Sequence, residues 1–170
     1  LKDKSDEIVT AKDGAVKTGN DYSIITNANE STGITAKDSS KIETGNNTEI
    51  DTKGNKSHGI FLSSKEAEVS SNSISIGTMG ELSDGIQLSS GGNVSAGVLN
   101  IETNDASSYA IHLIGDSSNI NSISGGRIHS EGTAIKFQTN SLGSDGQKVT
   151  LRGVTLTNNG IAASVITGSA

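Results

Sequence analysis

Three histidines (His58, His112, His129) and nineteen carboxylates are the groups through which this chain could ligate a metal or move a proton. The histidines share neither the spacing of a helical ligand pair nor a common place in the repeat described below, so each reads as a surface side chain and no metal site is predicted. Calcium-binding nonapeptides need Gly-Gly followed by a further Gly and Asp, and neither Gly91-Gly92-Asn93 nor Gly125-Gly126-Arg127 continues that way. Serine is abundant, but no nucleophile elbow surrounds any of it. Without cysteine the chain has no thiolate nucleophile, disulfide scaffold, zinc ribbon or iron–sulfur cluster. No catalytic, cofactor-binding or metal-ligating residue is predicted.

Composition limits the rest. At 170 residues a single domain is expected, here spanning 1–170. Tyr22, Phe61, Tyr109 and Phe137 are the only aromatic residues. They are too few for a broad globular core, so the interior must be narrow. Thirteen basic against nineteen acidic residues give a net charge of -6, with no concentrated positive face for nucleic acid. Nine of the eleven lysines precede residue 66, but twelve acids are interspersed with them through Glu68, which argues against a heparin patch. No apolar run approaches the roughly 20 residues of a membrane helix. The chain starts at Leu1 without a signal peptide, which fits a trimmed piece of a longer precursor.

What must position any site is a repeat. Ile34, Ile60, Ile86, Ile111, Ile135 and Ile161 follow one another at intervals of 26, 26, 25, 24 and 26 residues. Each is preceded by a small residue (Gly33, Gly59, Gly85, Ala110, Ala134, Gly160). A second column holds Ile24, Ile50, Ile76, Ile101, Ile128 and Leu156, with Thr26, Thr52, Thr78, Thr103, Ser130 and Asn158 two residues on. A third holds Val16, Ile42, Val69, Val94, Ile120 and Val149, with Thr18, Thr44, Ser71, Ala96, Ser122 and Leu151 at plus two. Residues i and i+2 share one face of a strand, so every period contains three short strands separated by Gly, Asn, Ser and Asp clusters.

Three strands per turn, wound about six times, define an all-β fold, a single-stranded parallel β-helix with coils of about 25 residues. Coils about 4.8 Å apart would build a rod roughly 30 Å long. Absence of proline agrees, since proline would break a ladder hydrogen bond nearly anywhere. The small residues before each isoleucine are placed outward by the alternation, leaving a shallow groove or a sharp turn. An irregular loop is expected at about 138–148, where Asn140 to Gln147 interrupt the spacing. Terminal coils would offer open edges for self-association unless capped or continued.

The same alternation orders the exterior. Thr35, Phe61, Gln87, His112, Lys136 and Ala162 form one outward row, in which Phe61, Gln87, His112 and Lys136 are the candidate binding residues. Ile25, Asp51, Gly77, Glu102, His129 and Thr157 form another. Asp51 and Glu102 lie two coils apart in it, about 9.6 Å by strand spacing, a loose pair for a glycosidase and more simply a solvated face.

The motifs Lys56-Ser57-His58-Gly59-Ile60-Phe61-Leu62, Leu82-Ser83-Asp84-Gly85-Ile86-Gln87-Leu88 and Ser107-Ser108-Tyr109-Ala110-Ile111-His112-Leu113 alternate with Ile50-Asp51-Thr52 and Ile101-Glu102-Thr103. This pattern resembles passenger domains of the pertactin-like autotransporter family over nearly the whole chain. Its Asn/Ser-rich style is similar to passengers of the Bartonella type, among them a secreted angiogenic factor. The resemblance implies a right-handed β-helix exported from a Gram-negative cell through a C-terminal outer-membrane barrel that this chain lacks. It also implies a non-enzymatic fragment, secreted or surface-displayed, that binds a host cell-surface protein as an adhesin, virulence factor or growth-factor-like ligand. A carbohydrate-active β-helix enzyme and a structural stalk are the alternatives.

Overall fold

The computed structural model describes residues 9–11, 16–114, 118–139 and 146–167. Those residues form parallel strands and no helix. The chain winds as a β-solenoid. Five stacked steps lead from Ile34 through Ile60, Ile86, Ile111 and Ile135 to Ala163.

The first face is a sheet of seven strands in chain order: Val9–Ala11, Ile34–Ala36, Ile60–Leu62, Ile86–Leu88, Ile111–Ile114, Ile135–Thr139 and Ala163–Thr167. The second carries Val16–Thr18, Lys41–Glu43, the starts of Glu68–Thr78 and Gly92–Thr103, then Ser118–Ile123 and Lys148–Leu151. The third carries Asp21–Thr26, Asn47–Thr52, the ends of the same two long strands, Gly125–Ser130 and Val154–Asn158. In the third and fourth coils, two of the three expected strands are therefore one continuous strand that turns a corner. Burial shows how: inward residues run Val69, then Ile74, Ile76 and Thr78, and in the next coil Val94 and Ala96, then Leu99, Ile101 and Thr103. The change of parity at the corner keeps aliphatic side chains inward on both faces.

Isoleucine stacks on isoleucine as the repeat predicts. Ile34, Ile60, Ile86 and Ile111 have no exposed surface, and Ile24, Ile50, Ile76, Ile101 and Ile128 are buried on the third face. Three register details differ from the sequence reading. Val16 pairs with Lys41 and Lys17 with Ile42, one residue out of the column. Ser122 has φ 60 and points outward, Ile123 takes the inward place, and the ladder slips between Ile120 and Ile123. Ile135 pairs with Ala163 and not with Ile161, which is 59% exposed. The extra residues after Thr139 lengthen that coil, so counting 26 residues onward lands two short. The expected loop at 138–148 falls mostly outside the described residues, the first-face strand reaching Thr139 and the next strand starting at Lys148.

The small-residue column is also corrected: Gly33, Gly59, Gly85, Ala110 and Ala134 are buried and form no groove. A Cβ at Gly59 would lie 2.3 Å from the Cγ2 of Ile76 and 2.6 Å from the carbonyl of Gly85. The third-face isoleucines press against this column, and glycine makes the room.

Corners are held by stacked polar groups. The Ser57 amide donates to Ser83 Oγ at 3.0 Å, and the Ser83 amide to Ser108 Oγ at 2.9 Å. Each hydroxyl donates onward to a carbonyl, Ser57 to Ala28 and Ser83 to Gly54, both at 3.0 Å. The residues before Ser31, Ser57 and Ser83, which are Glu30, Lys56 and Leu82, are left-handed.

Candidate functional site

Thr35, Phe61, Gln87, His112 and Lys136 pair in register across the first face, so the structure brings the four candidate residues into one row. Ser164, not Ala162, continues it beyond Lys136. Phe61, Gln87 and Lys136 are half-buried, while Thr35 is fully buried and His112 is 8% exposed. His112 is thus not a surface histidine.

The cover comes from the turn before each strand. His58, Asp84 and Tyr109 stand two residues before Ile60, Ile86 and Ile111, and they form a second row beside the first. Asp84, only 3% exposed, is the hub. One of its oxygens accepts the Tyr109 amide at 2.8 Å, and the other lies 2.8 Å from His112 Nδ1. Because a carboxylate only accepts, His112 carries its proton on Nδ1. Its Nε2 is sealed from solvent with no hydrogen-bond partner among the described residues. The Asp84 amide donates to His58 Nδ1 at 3.0 Å, which leaves the His58 proton on Nε2. Burial holds the His58 pKa below its ordinary 6.5, and the positive charge of a protonated His112 would act the same way, against the opposing pull of Asp84.

Aromatic contacts complete this surface. His58 stacks with Phe61 at 6.0 Å, and Tyr109 sets its ring edgewise to His112 at 4.7 Å. Lys136 Nζ donates to the Tyr109 hydroxyl at 2.9 Å while lying 4.4 Å from that ring's centroid. An Asp–His pair orients the imidazole as a hydrolase would, but catalysis also needs a nucleophile beside Nε2. Here Nε2 is buried with no partner among the described residues, and the hydrogen bonds of Asp84 link its coil to those of His58 and His112. The sequence reading missed Asp84 and Tyr109, although their common offset from the isoleucine column was the available signal.

The third face carries an open cleft of about 260 Å³. Its walls are the row Glu49, Ser75, Asn100, Arg127 and the parallel row Asp51, Gly77, Glu102, His129. Asp51 and Glu102 flank Gly77 as the alternation predicts. His129 closes one end, its Nδ1 2.9 Å from Thr157 Oγ1 and its Nε2 3.3 Å from Glu131. Hydrogen bonds from the Asn159 amide and then from His129 lower the Glu131 pKa. No group of three or more His, Cys, Asp or Glu among the described residues is placed to hold a metal ion.

A third feature is a corner. Met79 is 60% and Leu82 51% exposed. Backbone pairing aligns Met79 with Lys53 and Asn104 of the adjoining coils, and the left-handed residue equivalent to Leu82 is Glu30 or Lys56 in earlier coils. Only this coil puts apolar side chains there among those compared.

These features define a class, the parallel β-solenoid with polar outer rows. Comparison with protein-family models, curated proteins and solved structures finds no match to this chain.

Proposed function

We propose that this chain is a non-enzymatic segment of an exported bacterial passenger of the pertactin-like kind, displayed at the outer surface or secreted, and that it binds a host cell-surface protein. The observation that carries the reading is the Met79–Leu82 corner. Two large apolar side chains stand in solvent where equivalent positions carry Lys53, Lys56, Glu30 and Asn104. Folding gains nothing from their exposure, whereas protein contacts draw on such residues, methionine among them. The corner leads directly into the strand that carries Gln87, beside Phe61, so the apolar pair and the candidate row are continuous along the chain.

The test is binding of the labelled fragment to cultured mammalian cells. Saturable binding that disappears when the cells are treated with protease is expected. Met79→Lys with Leu82→Lys copies the chemistry of the preceding coil, so this double variant should fold normally and lose the binding. Binding that is unsaturable, survives protease or is unchanged in the double variant would overturn the reading.

A further inference from the structure

We propose that the third-face cleft binds a neutral oligosaccharide laid along the axis of the rod. Gly77 lines the cleft between Asp51 and Glu102. Its backbone is not left-handed, so the conformation does not call for glycine, and an added Cβ would meet only the Asp51 carboxylate, at 2.7 Å. In the interior of a strand, glycine weakens the sheet and marks a bulge, a bend or the close approach of a ligand or another backbone, and Gly77 pairs in unbroken register with Asp51 and Glu102. The fold does not require the gap at this position. What the gap does is admit the Asp51 carboxylate over the strand, where a ligand in the cleft would meet it directly.

The lining suits hydroxyl groups. Vicinal sugar hydroxyls each donate and accept, and the cleft sets the acceptors Glu49, Asp51 and Glu102 near the guanidinium donor of Arg127. Hydrogen bonds to charged groups are the stronger kind, which compensates for the absence of an aromatic platform among the lining residues. Three carboxylates against one guanidinium leave the cleft net negative, which disfavours uronates and other polyanions. Pitch agrees as well: the rungs repeat about every 4.8 Å, close to the length of one pyranose unit in an extended chain, so successive sugars would meet successive rungs.

The measurement is titration of the isotopically labelled chain, followed through its amide resonances, with cellotetraose, maltotetraose and the N-acetylglucosamine tetramer. Tetragalacturonate and tetralysine are parallel arms. At least one neutral tetrasaccharide should shift the Ser75, Gly77 and Glu102 amides saturably. Gly77→Val should fold as well as the parent and weaken binding by about tenfold or more, the equivalent of one charge-assisted contact. Asp51→Asn with Glu102→Gln is the second variant and should weaken it similarly. The Met79→Lys, Leu82→Lys variant should bind the sugar unchanged, which separates this site from the protein-binding corner. The proposal is overturned if no neutral sugar perturbs these amides, if tetralysine or tetragalacturonate binds in its place, or if a folded Gly77→Val binds as tightly as the parent. Cleavage of a neutral sugar with these amides perturbed would support binding here and overturn the non-enzymatic reading above.

Discussion

Replacing Asp84 by alanine tests whether the first-face network is the tie between coils that its geometry indicates. The carboxylate accepts the Tyr109 amide and the His112 Nδ1 proton, both at 2.8 Å, from a position 3% exposed. Removing it orphans two donors in a region water scarcely reaches, at about 1–3 kcal/mol each. Relief of the carboxylate's own desolvation offsets part of this, leaving a net loss of about 2–4 kcal/mol. Asp84→Asn keeps an acceptor for the Tyr109 amide, and His112 can change tautomer to accept from the new amide, so its cost should be nearer 1 kcal/mol. Urea unfolding followed by circular dichroism gives the totals. Amide exchange at Tyr109 gives the local effect, faster by about tenfold for each 1.4 kcal/mol of protection lost. A cycle with His112→Ala should return a coupling of about 1–3 kcal/mol. A loss below about 0.5 kcal/mol for Asp84→Ala, with Tyr109 exchange unchanged, would refute the hub.

Ile86→Asp would place an unpaired charge between Ile60 and Ile111 and should unfold the middle coils, whereas Gln87→Asp on the same strand should leave the circular dichroism spectrum and melting temperature nearly unchanged. Leu82→Gly should raise stability by up to about 1 kcal/mol, because Leu82 is left-handed at φ 54, and a higher urea midpoint would report it. Since the folded pKa of His58 lies below its ordinary 6.5, stability is full above that value. It should decline as pH falls below 6.5, because the unfolded chain takes the proton first, and level off beneath the folded pKa. Urea midpoints measured from neutral to about pH 5 should show this slope, and His58→Gln should flatten it.

The interior was legible because stacking makes equal positions carry equal chemistry. Ile34, Ile60, Ile86 and Ile111 declare the coil by their spacing alone, and the outward rows follow from strand alternation. Reading failed where the structure departs from a constant period. The longer fifth coil displaced Ile161, and the slip at Ile123 turned Ser122 outward. It also failed where burial depends on a neighbouring coil. His112 looks exposed from its own strand, but Asp84, 28 residues earlier, and Tyr109, in its own coil, cover it. Gly77 could be placed in its row, but the volume it frees depends on the side chains above and below it.

A constant interval between equivalent residues also makes reach adjustable. Phe61 and Gln87 occupy the same place in successive windings. Excising residues 61–86 would join Ile60 directly to Gln87 and leave the isoleucine column in register, at the cost of the Asp84 tie. The product would be a rod shorter by about 4.8 Å. Duplicating that stretch would extend it by as much, so this architecture can set how far a binding surface stands from its anchor by counting whole windings, with no new packing to invent.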